Sequence, residues 1–160
     1  MPTEEKKLEG LGGWLILVGI GLVLAPIVML TEIVPMYQGM VQDGSWAAIM
    51  SGEVDSRYPG FKATLLFEAA ANAMLFAAYL VLIALFFMKK RLFPKLYIFT
   101  LAVNVLFLIG DNYLWARILP PELAPDNSDD IKEIAKMIIR ACIWIPYMLI
   151  SKRVKATFIH

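Results

Sequence analysis

Residues 11–30 contain no charged side chain, and this run constrains the fold more than any other feature of the chain. A helix that crosses the ~30 Å hydrocarbon layer of a bilayer needs about 20 mainly apolar residues. Further long apolar runs follow at residues 63–88, 96–119 and 132–150, separated by more polar segments. The pattern predicts an all-α integral membrane protein with four transmembrane helices in an antiparallel up-down bundle.

Composition agrees with this interpretation. The chain is 59% hydrophobic and 18% charged, whereas soluble domains are about 45–50% apolar. At 160 residues it has room for one domain, which we assign to residues 1–160 with loops at about 31–62 and 120–131. Its net charge is +1 and its basic residues lie beside the apolar runs. A nucleic-acid partner is therefore not expected.

Basic residues cluster before the first apolar run, between the second and third runs, and after the fourth run. They are Lys6 and Lys7, then Lys89, Lys90, Arg91 and Lys95, then Lys152, Arg153 and Lys155. Four spans would bring these three flanks to one side of the membrane, and the two intervening loops are acidic. The positive-inside rule makes the basic side cytoplasmic. Both termini are therefore predicted to be cytoplasmic.

Three short stretches occur together at the ends and the middle of the chain. GLGGWL (residues 10–15) begins the first run, KRLFP (90–94) forms the middle turn, and IWIPY (143–147) with SKRVKATF (151–158) ends the last run. Together they resemble the family catalogued as domain of unknown function 2569, which consists of small bacterial four-helix proteins. The resemblance implies a multi-pass protein of the bacterial inner (cytoplasmic) membrane. It implies no activity and supplies no catalytic residues.

Four polar side chains lie inside the predicted spans: Glu68, Asn72, Asp111 and Arg140. Counted at about 1.5 Å per residue from the basic flanks, all four fall in the outer half of the bilayer. Ionisable groups at such depth should face the bundle interior and pair. We predict that Arg140 pairs with Asp111 or Glu68. The set is either a structural ion pair or a periplasm-facing cavity that binds an ion or small anion.

Residues that carry cofactor or metal chemistry are scarce. Cys142 is the single cysteine, and the single histidine is the last residue. Haem and transition-metal sites need His or Cys ligands, so no cofactor and no metal site are expected. Pro146 is predicted to kink the fourth helix, because it cannot donate a hydrogen bond to the carbonyl of Cys142.

Three classes of function are weighed against the residues of the chain. An enzyme is not expected, because no Ser/His/Asp set, phosphate loop or metal cluster is present. We favour a non-catalytic scaffold or accessory protein that binds a lipid, a small ligand or a membrane partner. The alternative is a small transporter or channel subunit that uses a polar cavity around Arg140. The expected partners are membrane lipids, with a membrane protein or a second copy of the chain as further possibilities.

Overall fold

The computed structural model of the chain describes residues 10–120, 122–123 and 127–159, with the backbone alone for residues 127–130. Every regular element in these ranges is helical, which confirms the all-α class for them. The helices are α1 (Trp14–Gln42), α2 (Ser45–Ser51), α3 (Glu53–Arg57), α4 (Phe61–Phe87), α5 (Phe93–Ile118), α6 (Asn127–Ile150) and α7 (Lys152–Thr157).

Within the described chain, three helices are long and apolar enough to cross a membrane, where the sequence predicted four. These are α1, α4 and α5. Helix α6 has 24 residues, which is sufficient length at about 1.5 Å per residue. Its first 14 residues, however, include Lys132, Glu133, Lys136 and Arg140. These charges make α6 amphipathic rather than apolar on all sides.

The segment 31–62 was predicted to be a loop and is mostly helical. Helix α1 continues to Gln42 instead of ending near residue 30, with Pro26 and Pro35 inside it. Membrane helices tolerate proline because neighbouring helices and small local adjustments satisfy the freed carbonyl groups. Helices α2 and α3 occupy much of the remainder. The edge contact of Trp46 with Tyr37, at 5.9 Å between ring centroids, holds α2 against the end of α1.

The main apolar core lies at one end of the helix bundle. It consists of Leu15, Val18, Leu22, Leu82, Phe86, Phe93, Met148, Val154 and Phe158. The beginnings of α1 and α5 therefore meet the ends of α4 and α6. At its centre Phe93 stacks on Phe158 with centroids 4.6 Å apart, and Phe86 contacts both rings at 5.1 and 5.9 Å. We call this region the closed end.

Helix α7 folds back under the closed end and joins the first described residues. The Thr157 hydroxyl accepts a hydrogen bond from the Gly10 N–H and donates one to the Gly10 carbonyl, both at 3.2 Å. The Arg153 guanidinium lies over Gly12, where its Nη1 would be 3.0 Å from an added Cβ. Because glycine has no side chain, the arginine can lie this close to the backbone. The stretches GLGGWL and SKRVKATF thus form one contact.

We expect Thr157→Val to lower the free energy of unfolding by about 1–3 kcal/mol. The substitution keeps the side-chain volume but leaves the Gly10 N–H without its partner in a site where Thr157 is 2% exposed, while the Gly10 carbonyl keeps the Gly12 N–H. Thr157→Ser keeps the hydroxyl and is the matched control. Chemical unfolding in mild detergent measures both. Equal losses in the two variants would show that packing, not hydrogen bonding, holds this contact.

Two of the three basic flanks lie at the closed end. Residues 89–95 connect α4 to α5, and residues 152–155 belong to α7, whose Val154 enters the same core as Phe86 and Phe93. Lys6 and Lys7, the third flank of the positive-inside argument, lie outside the described residues. The positive-inside argument requires all three flanks at the same end of the bundle, and the two described flanks do lie at the same end.

Candidate functional site

A cavity of about 630 Å³ lies between the four long helices α1, α4, α5 and α6. In the described chain the helices pack extensively in the order α1–α4, α4–α5 and α5–α6, but α1 and α6 do not pack extensively against each other. They do meet at the closed end, where Trp14 and Trp144 make an edge contact at 6.3 Å. The space left between the helices forms the cavity.

All four polar residues that the sequence singled out line this cavity. Glu68 and Asn72 come from α4, Asp111 from α5 and Arg140 from α6. On α4 they belong to one helix face that continues with Leu75, Tyr79 and Leu82, at the i, i+3 and i+4 spacing of neighbours on a helix. The structure thus brings the four residues together on one cavity wall, whereas their depth in a bilayer stays a prediction.

Glu68 is held by an aromatic cluster where the start of α4 meets the end of α5, remote from the closed end. The Trp115 indole N–H donates to Glu68 Oε2 at 3.2 Å, and Phe61 packs edge-on against Trp115 with centroids 4.9 Å apart. The hydroxyl of Tyr37 lies within electrostatic range of both Glu68 and Asp111. The Tyr37 hydroxyl therefore lies in the field of two carboxyl groups, although Tyr37 is not among the residues that line the cavity.

Arg140 is exposed on the cavity wall. Its Nη1 donates to Met137 Sδ at 3.6 Å, one turn earlier on α6, and Tyr97 of α5 lies within electrostatic range of it. Among the described contacts, Arg140 and Glu68 therefore have different partners. The ion pair of Arg140 with Asp111 or Glu68 stays a prediction.

Other polar residues on the wall were not predicted as site residues. Asn104 donates to the Tyr79 hydroxyl at 3.1 Å and ties α5 to α4. Glu32 and Glu133 face the cavity from α1 and α6. Tyr79 could have been found by extending the Glu68–Asn72 face along α4. Glu32 was assigned to a loop, so no sequence signal placed it on the wall.

The cavity wall carries more acidic side chains than basic ones. Four carboxyl groups line the cavity, on Glu32, Glu68, Asp111 and Glu133, against the single guanidinium of Arg140. The prediction from the sequence left an ion or a small anion open as the occupant of a cavity around these residues. The wall carries more carboxyl groups than guanidinium groups, so its field attracts a cation more than an anion.

The closed end limits the cavity on one side. Trp144 and Leu82 line the cavity. Leu82 also belongs to the main core, and Trp144 packs against that core. Pro146 lies inside α6, just beyond Trp144. The predicted kink at Pro146 stays a prediction. Within the described ranges, no group of three or more His, Cys, Asp or Glu side chains is arranged to hold a metal ion.

The profile of the protein family described as Protein of unknown function (DUF2569) matches residues 8–159. The chain belongs to this family. The resemblance drawn from the short stretches at the two ends of the chain is confirmed, and those stretches form the contact of α7 with the start of α1 in this DUF2569 protein. No curated protein and no solved structure matches the chain.

Proposed function

We propose that this DUF2569 protein is a non-catalytic membrane protein that binds a small, positively charged organic ligand in the cavity between α1, α4, α5 and α6. The observation that carries the proposal is the acidic wall of a cavity of about 630 Å³. Small-molecule sites in proteins occupy about 300–1,000 Å³ and combine an apolar lining with a few polar groups. The size and the charge together define the ligand class.

The lining suits a cation that is partly apolar. Apolar side chains of α1, among them Leu17, Leu24 and Val28, form one side of the cavity. Tyr79, Tyr97 and Trp144 add aromatic rings on the other helices, and such rings attract cations through their electron-rich faces.

Location and topology form part of this proposal. The family resemblance and the basic flanks support a bacterial inner-membrane protein with both termini in the cytoplasm. Helix α6 then forms a fourth span whose polar face lines the cavity and whose apolar face meets lipid. On this arrangement the cavity lies toward the periplasm, and the closed end lies toward the cytoplasm.

A transporter subunit is the second candidate. The observation that favours it is that the same cavity is closed at one end by the core around Phe86, Phe93 and Phe158. A binding site open to one side and closed to the other is what one state of an alternating-access carrier requires. Flux of the ligand into liposomes would support the transporter, whereas binding without flux supports the accessory protein.

Two ions of the same shape and opposite charge test the proposed binding site. We expect the purified protein in mild detergent to bind tetraphenylphosphonium at least about tenfold more tightly than tetraphenylborate, measured by equilibrium dialysis. The double variant Glu68→Gln/Asp111→Asn should weaken tetraphenylphosphonium binding by about tenfold or more, because it removes two carboxyl groups whose negative charge attracts the cation. The amide oxygen that Glu68→Gln introduces can still accept from the Trp115 indole, so the fold is expected to survive.

Two further variants serve as controls for this test. Glu53→Gln removes an exposed carboxylate on α3, outside the cavity, and should leave binding unchanged. Arg140→Gln should tighten binding of the cation, because the single positive charge on the wall is lost. Equal affinity for the two ions, or weaker cation binding by Arg140→Gln, would contradict a cation site.

A further inference from the structure

We propose that the closed end carries a second binding surface, which takes the head groups of anionic phospholipids. Its members are the cationic side chains of two segments, Lys89, Lys90, Arg91 and Lys95 between α4 and α5, and Lys152, Arg153 and Lys155 on α7. We call this set the basic face. It lies at the opposite end of the bundle from the carboxyl groups of the cavity and does not depend on the proposed cation site.

The fold-back of α7 is what joins the two segments. Val154, Thr157 and Phe158 turn inward and are buried, whereas Lys152 and Lys155 are exposed on the outer face of α7. Phe158 stacks on Phe93, which directly follows the cations of the α4–α5 connection. Without this docking, the cations of residues 152–155 would not be held beside those of residues 89–95.

No acidic residue within either segment offsets these cations. The sequence contains no Asp or Glu between residues 69 and 110 or from residue 134 to its end. The carboxyl groups on α1, α4 and α5 line the cavity instead. Like charges at close range repel, so seven cations gathered at one end favour an anionic partner.

Lys89 provides an independent observation. It has a positive φ of 54° at the position after the C-cap of α4, where its N–H donates to the Phe86 carbonyl and the Lys90 N–H donates to the Leu85 carbonyl. This is the helix-ending motif in which glycine is usual, since a side chain is strained there. A cation at a strained position points to a role for its charge, because strain of this kind concentrates at functional sites.

The surroundings of the basic face indicate a lipid rather than a soluble anion. Trp14, Phe87, Met88 and Leu92 lie at the same end, and each is more than half exposed. Trp is frequent at the level of the head groups, where its ring contacts both apolar and polar groups. Cations beside outward apolar side chains match a molecule with an anionic head and an apolar tail, such as phosphatidylglycerol.

The test is to compare the binding of phosphatidylglycerol with that of phosphatidylcholine of identical acyl chains. Binding to the whole chain is measured by native mass spectrometry from mild detergent. The wild type should bind phosphatidylglycerol preferentially. Lys89→Gly should weaken that binding by about fivefold, the effect expected for one cation near an anionic surface, and should leave the melting temperature unchanged or higher. Lys152→Gln/Lys155→Gln should weaken it by about 20–30-fold.

Matched controls distinguish lipid binding by the basic face from a general effect of losing positive charge. Arg57→Gln/Lys136→Gln removes two exposed cations outside the basic face and should leave phosphatidylglycerol binding unchanged. Soluble glycerol phosphate should fail to compete at concentrations where the lipid is bound. The proposal is overturned if the control variant loses as much binding as the α7 variant, if Lys89→Gly binds like the wild type, or if glycerol phosphate competes as well as the lipid.

Discussion

Phe93→Ala is expected to lower the free energy of unfolding by about 3–5 kcal/mol, the usual range for truncating a fully buried phenylalanine. Phe93 is 0% exposed and contacts Phe86, Phe158 and Tyr97 at centroid distances of 5.1, 4.6 and 5.6 Å. Its removal would leave a void where α4, α5 and the segment after α7 meet. The docking of the C-terminal segment should therefore weaken together with the helix bundle.

Phe99→Ala is the control on the same helix. Phe99 is 64% exposed, so its truncation removes little packing within the protein. Unfolding in mixed detergent micelles, followed by circular dichroism, should show a large loss for Phe93→Ala and a small one for Phe99→Ala. Similar losses at both positions would mean that the closed end does not supply the main stabilising core.

Gly19→Val is expected to cost about 1–3 kcal/mol, because it forces extra volume into a packed contact. A Cβ atom at residue 19 would lie 2.9 Å from Cε1 and 3.1 Å from Cζ of Phe86. Phe86 is 2% exposed and packs against three other rings, so its ring has little room to move. Helix α1 would have to separate from α4.

Gly21→Val distinguishes this clash from the general effect of valine in a helix. A Cβ atom at residue 21 would meet nothing within 4 Å, although both positions lie inside α1, two residues apart, where valine has the same helix propensity. The difference between the two variants in thermal unfolding therefore measures the contact with Phe86. If Gly21→Val destabilises the protein as much as Gly19→Val, close approach of α1 and α4 is not the reason for glycine at residue 19.

The two ends of the molecule have different physical roles. The closed end holds the aromatic core and the docked α7, so it supplies the packing that keeps four helices together. The other part of the bundle contains the cavity, the hydrogen bond of Trp115 with Glu68 and that of Asn104 with Tyr79. Polar groups that face a cavity contribute less to close packing and are available to a ligand. This division makes the cavity variants testable without loss of the fold.

The polar residues of the site were predictable, whereas their partners were not. Glu68, Asn72, Asp111 and Arg140 stand out because charged and amide groups are rare in apolar runs and must turn inward. The Trp115 indole as the donor to Glu68 was not predicted, and neither was the bond of Tyr79 with Asn104. Both tyrosine and tryptophan fit a lipid interface as well as a cavity wall, so their sequence positions did not distinguish these roles.

Length and hydropathy alone were sufficient for the helical membrane class of the protein and for three of its four predicted spans, because a bilayer imposes these requirements on each helix separately. The shape of the site depends on how the helices are rotated and how deeply they lie relative to one another. Those quantities are set by contacts between distant residues, such as Gly19 with Phe86 and Gly10 with Thr157. The acidic balance of the cavity emerged only when four separate helices came together.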